Sequence, residues 1–225
     1  MNCEVPLLMG ESSAAMEQAG WRLFVKKTVD RTAAAIGLVA TAPLMAGAAL
    51  AVRATMGAPA LFSQQRPGLH GKPFKIWKFR TMSNARDASG TLLPDAERLT
   101  NVGRFLRKTS IDELPQLWCV VKGDLSLVGP RPLLMKYLPF YTPEENRRHD
   151  VLPGITGLAA VNGRNLLSWE EKFRLDVEYV DRWDLALDAK ILVQTARKVL
   201  LREGIGTTVQ EIMPELRHFQ HRSHL

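Results

Sequence analysis

The sequence predicts a helix-rich fold of mixed α and β elements, joined near its N-terminus to a segment that enters a membrane. Three observations support this prediction. Residues 32–52 carry no charge, residues 59–82 alternate apolar and polar side chains around glycines, and residues 185–201 have the spacing of an amphipathic helix. Long uncharged runs are typical of membrane helices and alternation is typical of strands. The chain therefore combines a membrane segment with a domain outside it.

The uncharged run 32–52 is long enough to cross a bilayer. At roughly 1.5 Å per residue, a helix of this run is about 31 Å long, which matches a hydrocarbon core of about 30 Å. Lys26, Lys27 and Arg31 precede the run and Arg53 follows it, whereas a simple span usually has its basic residues on one side. This symmetry predicts that both ends face the cytoplasm.

Pro43 lies near the centre of this run. Because proline has no N–H to donate, the Val39 carbonyl loses its helical partner, and the Thr41 hydroxyl is a local candidate donor. We therefore predict a broken, re-entrant helix that is hinged at Pro43 and enters and leaves on the same face. One alternative stays open, a spanning helix with a proline kink. Ala46 and Ala48 also supply the A-x-A pattern of a signal peptide, but the late start of the run and the absence of basic residues in 1–20 argue against it.

The composition indicates partners of negative charge. Lys and Arg outnumber Asp and Glu by 30 to 23, which gives a net charge of +7, and phosphates, anionic lipid heads and nucleic acids would all complement it. The two cysteines, Cys3 and Cys119, form neither a zinc spacing nor a disulfide framework, which fits a reducing compartment. Cys119 lies in an apolar run and is predicted to be a small buried side chain.

These patterns divide the chain into four parts. We predict a leader at residues 1–20, a membrane helix region at 21–56, a domain at 57–205 and a C-terminal tail at 206–225. No internal repeat and no low-complexity linker divides the domain further.

The first half of the domain is predicted to contain a hairpin, a loop and a helix. Residues 59–82 turn near Gly68 and are typical of a β-hairpin. Residues 83–100 are predicted to form a polar loop that contains a short helix. Residues 110–121 are predicted to begin a helix at Ser110 and to continue as an apolar helix.

The second half alternates short strands, turns and capped helices. Residues 126–134 predict a strand that runs into a rigid proline turn, and residues 142–150 a helix, since TPEE supplies an N-cap and an N1 proline. LPGITG at 152–157 is predicted to be a loop. A serine cap begins a helix at 168–179, and the amphipathic helix 185–201 either lies on the membrane interface or packs on the core.

The sharpest local feature is the segment GRFLRKTSIDELPQL, which combines three cations with two adjacent carboxylates: Arg104, Arg107 and Lys108 with Asp112 and Glu113. We expect the cations and a helix start to keep the carboxylates ionised. An ionised carboxylate can bind a divalent metal or attack phosphorus, and Glu113 could assist by positioning or proton transfer. The alternative is a capping box in which Ser110 and Glu113 only stabilise a helix.

Further cations could neutralise a phosphate group. Lys78 and Arg80 are predicted to share one strand face and to point at one anion. In GPRP, Pro130 and Pro132 fix the backbone around Arg131, whose planar guanidinium can grip a phosphate with two hydrogen bonds. Magnesium prefers one or two carboxylates together with phosphate oxygens, so the acidic pair and a pyrophosphate would suffice to bind it.

Five motifs follow one another along the chain: KFRTM at 78–82, GRFLRKTSIDELPQL at 103–117, LVGPRP at 127–132, LPGITG at 152–157 and VNGRN at 161–165. In this order, after an apolar segment, they resemble the bacterial sugar transferase family, the small monotopic phosphoglycosyl transferases. The resemblance runs from about Lys26 to Leu201. It favours a catalytic role for Asp112 over the capping box.

The resemblance implies a compact α/β catalytic domain at the cytoplasmic face of the bacterial inner membrane. It also implies a two-step transfer in which Asp112, assisted by Mg²⁺ that it binds together with substrate oxygens, attacks the β-phosphorus of a UDP-sugar. UMP leaves, and a polyprenyl phosphate such as undecaprenyl phosphate takes the phosphosugar. Such a reaction is the first membrane step of glycoconjugate or exopolysaccharide synthesis.

The resemblance also suggests roles for single residues and for partners. Glu113 becomes the second member of the dyad, Lys78, Arg107 and Arg131 become phosphate ligands, and Arg164 becomes a candidate substrate contact. Membrane lipids and downstream glycosyltransferases are the implied further partners. The sugar and the oligomeric state stay open.

Two other classes of function compete with this expectation. A basic nucleic-acid-binding module would suit the net charge, but no zinc spacing, aromatic RNP pattern or long basic recognition helix occurs. An inactive membrane-tethered scaffold would explain the apolar segment. Neither class explains adjacent carboxylates among arginines.

Overall fold

The computed structural model describes residues 20–163 and 167–201. Its α-helices are α1 Trp21–Met56, α2 Asp95–Arg98, α3 Asn101–Lys108, α4 Gln116–Lys122, α5 Pro143–Asn146, α6 Leu158–Asn162, α7 Trp169–Arg182 and α8 Leu185–Leu201. Its strands are β1 Leu61–Pro67, β2 Pro73–Phe79, β3 Ser126–Val128 and β4 Gly154–Thr156. The predicted helix-rich mixture of α and β elements is therefore confirmed. Residues 1–19 of the predicted leader, Arg164 and the tail at 206–225 lie outside the described residues.

The long helix α1 runs without interruption through Pro43. The break predicted at that proline is therefore not seen, and the re-entrant course of the helix stays a prediction. The Thr41 hydroxyl donates to the Gly37 carbonyl at 2.7 Å rather than to Val39, so that expectation was wrong. The hydroxyl of a helical threonine reaches back to the carbonyl four residues earlier. By length and composition α1 could cross a membrane.

Both halves of α1 pack on the domain. In the first half, Ala34 is fully buried beside Cys119, whose predicted burial is confirmed. Near its end, Val52 is buried against Phe79 and Leu106. Other large apolar side chains of α1 face outward: Trp21, Phe24, Val29, Ile36, Val39, Leu44 and Leu50. The helix therefore presents one side to the domain and an apolar surface away from it.

The predicted hairpin is confirmed. Strands β1 and β2 pair in antiparallel register from Leu61 opposite Phe79 to Pro67 opposite Pro73. The tight connection at Leu69–Gly71 fixes this register, so that side chains two residues apart on each strand share a face.

A second sheet corrects one prediction. Gly154–Thr156, expected to be a loop, forms β4 and pairs in parallel with β3. The glycines of LPGITG resemble a loop in the sequence, but here they permit close approach: a Cβ on Gly154 would lie 2.1 Å from the Gly129 nitrogen. Pairing between distant segments, which no local pattern reveals, decides the structure here.

The capped helices form where the sequence predicts them. Thr142 and Ser168 each make a capping box with the glutamate three residues on. The predicted helix at 142–150 ends early, however, as α5 followed by a single 3-10 turn. Helix α8 buries Ile191 in the core, which matches the packing alternative for this helix, while Val193 and Leu201 stay exposed. Its placement at a membrane interface stays a prediction.

Candidate active site

The two adjacent carboxylates lie in a 3-10 turn, Ile111–Glu113, between α3 and α4. Ser110 precedes the turn in the left-handed region, with φ 56° and ψ 15°, which is uncommon for a residue other than glycine and often marks a functional site. The Ser110 side chain makes no capping bond. The capping-box alternative is therefore wrong, because Glu113 binds cations from elsewhere in the fold instead.

Glu113 joins two distant cations. Its carboxylate lies 2.6 Å from Lys78 Nζ and 2.5 Å from Arg131 Nη2. Burial alone would raise the pKa of Glu113, but Arg131 and Lys78 more than offset this effect and hold that pKa well below its usual range. Glu113 is thus a permanent anion that fixes both cations at the turn.

Asp112 is also buried, but its surroundings differ from those of Glu113. Its residue is 8% exposed, and within the part of the chain that the structure describes no cation lies within ion-pair distance of its carboxylate. Burial, and then the neighbouring charge of Glu113, raise the pKa of Asp112 to about 6, against the opposing effects of Lys78, Arg107 and Arg131. Burial therefore outweighs the neighbouring cations. A carboxylate with this pKa is still mostly ionised at neutral pH, which agrees with the expectation from the sequence that Asp112 stays ionised.

Arg107 stands beside Asp112 and is held in place from the end of β2. Its Nε donates to Thr81 Oγ1 at 3.0 Å. Helix α3 can approach Thr81 so closely because residue 103 is glycine, whose Cβ would lie 1.8 Å from the Thr81 carbonyl oxygen. Arg104 instead points outward and bonds Asn101 at 2.9 Å. The structure therefore brings Arg107 to the dyad and leaves Arg104 on the surface.

Arg80 is separated from Lys78, contrary to the prediction that both point at one anion. Its guanidinium donates to the carbonyls of Met56 at 3.1 Å and Pro59 at 3.0 Å, with a longer contact to Gly57. The last carbonyls of a helix have no partner within the helix. Arg80 therefore closes the end of α1 instead of facing the dyad.

Arg66 is a further cation of the site, which no motif in the sequence indicates. Its Nη2 donates to Gln64 at 2.7 Å and its Nη1 to the Pro132 carbonyl at 3.4 Å. Burial and the nearby Arg131 lower the pKa of Arg66 to about 10. The alternation of the hairpin could have indicated it. Gln64 and Arg66 lie on the same face of β1 as Phe62, which is opposite Lys78 in β2.

In the described part of the site, four cations surround the two carboxylates, so positive charge exceeds negative charge. The cations are Arg66, Lys78, Arg107 and Arg131. Such an excess suits an anion with several charges, such as a diphosphate. Within residues 20–163 and 167–201, no three His, Cys, Asp or Glu side chains cluster to hold a metal by themselves. The Asp112 carboxylate has oxygens to offer a cation that takes its other ligands from a substrate.

Comparison with known proteins agrees with this geometry. The family model of the bacterial sugar transferases matches residues 21–202. An uncharacterized sugar transferase, EpsL, of Bacillus subtilis is 59% identical over 186 residues, which are 83% of this chain and 92% of that protein.

Two relatives with named reactions are more distant. The UDP-glucose:undecaprenyl-phosphate glucose-1-phosphate transferase of Caulobacter vibrioides is 40% identical, over 80% of this chain and 71% of its own length. The undecaprenyl-phosphate galactose phosphotransferase of Salmonella typhimurium is 39% identical, over 89% of this chain but only 45% of its own length. The chain belongs to the bacterial sugar transferase family, which confirms its identification from sequence as a phosphoglycosyl transferase.

Proposed function

We propose that this protein transfers a sugar 1-phosphate from a UDP-sugar to a polyprenyl phosphate and releases UMP, through a covalent phosphosugar on Asp112. The observation that carries the proposal is the contrast within the dyad. Glu113 is paired with Lys78 and Arg131, whereas Asp112 is buried with a raised pKa. A carboxylate that is ionised but not neutralised by a partner is a competent nucleophile.

In the first step an Asp112 oxygen attacks the β-phosphorus, which bears the sugar. The bond from this phosphorus to the bridging oxygen breaks, and UMP leaves with that oxygen and its electron pair. Lys78, Arg107 and Arg131 neutralise the charge that develops on the phosphate oxygens. Glu113 contributes by holding two of these cations at the turn.

In the second step an oxygen of the polyprenyl phosphate attacks the same phosphorus. The acyl phosphate bond breaks, the Asp112 carboxylate is regenerated, and the product is a polyprenyl diphosphate sugar. Two such displacements split one difficult transfer into two easier ones. Downstream glycosyltransferases would use this product in the assembly of a glycoconjugate or exopolysaccharide.

Mg²⁺ is part of the proposal and would be held by Asp112 together with phosphate oxygens of the substrate. When bound, it would screen negative charge between carboxylate and phosphate. The donor set fits this ion, because one available carboxylate is sufficient for magnesium when substrate oxygens supply further ligands.

The proposed location is the cytoplasmic face of the inner membrane, with α1 re-entrant. Contacts in both halves of α1 support a course that keeps both halves on the side of the domain: Ala34 packs with the core near α4, and Val52 packs with Phe79. A helix that crossed the whole bilayer would carry one end about 30 Å away from a domain on the other side. Cysteines at positions 25 and 56, labelled from one face only, would support the re-entrant course; labelling from opposite faces would contradict it.

The first test measures UMP release by purified protein with undecaprenyl phosphate, Mg²⁺ and a panel of UDP-sugars that includes UDP-glucose and UDP-galactose. Asp112→Asn is expected to abolish release, since an amide keeps the shape and loses the nucleophile. Asp95→Asn, an exposed acid in α2, is the matched control and should keep full activity. Without acceptor, intact-mass analysis should find a phosphosugar on the wild type and none on D112N. Turnover by D112N, or product formation with no adduct, would contradict the proposal.

A further inference from the structure

A buried polar cluster connects the membrane helix to the domain at a distance from the dyad. We call it the anchor network, and its members are Lys26, Asp30, Ser126, Tyr179, Trp183 and Asp188. The ammonium group of Lys26, a residue only 6% exposed, reaches three acceptors: Asp188 Oδ2 at 2.6 Å, the Val128 carbonyl at 3.1 Å and Asp30 Oδ2 at 3.5 Å. By its position in the sequence this lysine is expected to flank the membrane, but its ammonium group points into the domain.

The Val128 carbonyl is the junction of this network. Besides Lys26, it lies 3.0 Å from the Tyr179 hydroxyl and 2.8 Å from Ser126 Oγ. Burial and the charge of Asp188 raise the pKa of Tyr179 well above its ordinary value, so its hydroxyl keeps its single proton. That proton is donated either to the Val128 carbonyl or to Asp188 Oδ1, which is nearer at 2.7 Å. Val128 is the last residue of β3, three positions before Arg131.

Hydrogen bonds to several of its carbonyls hold the segment from Val128 to Pro132 in place. The Pro130 carbonyl accepts from the Gly154 amide at 3.0 Å. The Arg131 carbonyl accepts from Arg148 Nη2 at 2.7 Å, and the Pro132 carbonyl from Arg66. These three donors belong to the domain. Lys26, which donates to the Val128 carbonyl, is different because it belongs to the membrane helix α1.

The positive charge of Lys26 ties this contact to one arrangement of its partners. An apolar side chain at position 26 could fill the same space, whereas burial of an ammonium group is unfavourable unless its hydrogen bonds are satisfied. A buried ion that is satisfied only in one arrangement fixes that arrangement. The anchor network thus connects the placement of α1 to the start of the GPRP segment.

We infer that Lys26 is a positioning residue for Arg131, which it holds at Glu113 through the Val128 carbonyl and the GPRP segment. This inference rests on the proposed function, in which Arg131 binds a donor phosphate. Lys26 itself touches neither the dyad nor the substrate. Its removal should therefore weaken binding of the UDP-sugar by displacing Arg131, beyond any loss of folded protein.

The experiment compares Lys26→Met with Lys27→Met in lipid nanodiscs. The two variants lose the same charge from adjacent positions of α1, but Lys27 is exposed. The KM for the UDP-sugar should rise roughly tenfold in K26M, as expected for the loss of a charge-assisted hydrogen bond, and stay near the wild-type value in K27M. A fall in kcat with an unchanged KM would indicate only a smaller active fraction and would overturn the inference.

A double-mutant cycle separates action through Arg131 from general damage. If Lys26 acts through Arg131, adding K26M to Arg131→Gln should change the KM by much less than adding it to the wild type. Effects that multiply would contradict the inference. The pair K26M/D188N removes one positive and one negative charge together, so the comparison can be made even where K26M alone does not fold.

Affinity for UDP, measured by isothermal titration, gives the same comparison without turnover. A wild-type protein that releases no UMP would contradict the proposed function, and the UDP affinities of K26M and K27M would then decide on Lys26. Equal affinities of these two variants would overturn the inference, whatever the outcome for turnover.

Discussion

The anchor network and the dyad are both buried charged clusters, but they differ in how completely their charges are paired. In the anchor network, Asp188 receives hydrogen bonds from Lys26, Tyr179 and Trp183. At the dyad, Glu113 is paired in the same way, while Asp112 has no ion-pair partner among the described residues. The carboxylates that hold the fold together are saturated with hydrogen-bond donors. The Asp112 carboxylate, which is proposed to react, is not saturated in this way.

This difference has a direct energetic meaning. A saturated buried charge stabilises the arrangement around it, and removal of its partner is unfavourable. A buried carboxylate with a raised pKa destabilises the folded state whenever it is ionised. Neutralising the two clusters should therefore change stability in opposite directions.

The largest change is expected from the anchor network. Lys26→Met leaves Asp30 and Asp188 buried without their cation, so the free energy of unfolding should fall by about 3–5 kcal/mol. Lys27→Met should change it by less than about 0.5 kcal/mol. Chemical unfolding in detergent, followed by tryptophan fluorescence, measures both. Equal stabilities of the two variants would remove the contrast between the clusters.

The next change should have the opposite sign. The pKa of Asp112 is about 6 in the folded protein, against an ordinary value of 3.8, so ionisation favours the unfolded chain. The resulting loss of stability begins near pH 4, grows up to about pH 6 and is constant above it. Asp112→Asn should therefore raise the free energy of unfolding by up to about 3 kcal/mol at pH 7.5 without Mg²⁺.

The same variant should gain nothing at pH 4, where Asp112 is protonated in the folded protein and partly so in the unfolded chain. Asp95→Asn serves again as control, because Asp95 is exposed and its replacement should produce no comparable pH-dependent gain. A D112N protein less stable than the wild type at pH 7.5 would show that Asp112 has an unrecognised structural partner.

Local patterns predicted most of the fold. The hairpin and the capped helices were recognised because turn residues and caps lie beside the elements that they end. Strand β4 was missed because its partner is β3, another part of the sequence. The uninterrupted course of α1 through Pro43 was missed for a related reason: the packing of Ala34 and Val52 on the domain outweighs a local preference.

The site was predictable where the chemistry is local and not where it depends on packing. Asp112, Glu113 and Arg107 belong to one short segment, and Lys78 and Arg131 were found by their residue type. Their pairing with Glu113 required the fold. The role of Lys26 could not be predicted, since its partner Asp188 is 162 positions away and a lysine beside an apolar run usually faces the membrane surface.

The smallest change should come from the backbone of the turn. Ser110 and His70 are the two described non-glycine residues with positive φ, at 56° and 53°. Glycine relieves such strain but loses more entropy on folding, so Ser110→Gly and His70→Gly should each raise stability by less than about 1 kcal/mol. The two variants should differ in activity instead. His70 lies in the hairpin connection, whereas Ser110 directs the turn that presents Asp112, so kcat should fall in S110G and not in H70G. Equal kcat values would mean that the strained turn is a feature of the fold alone.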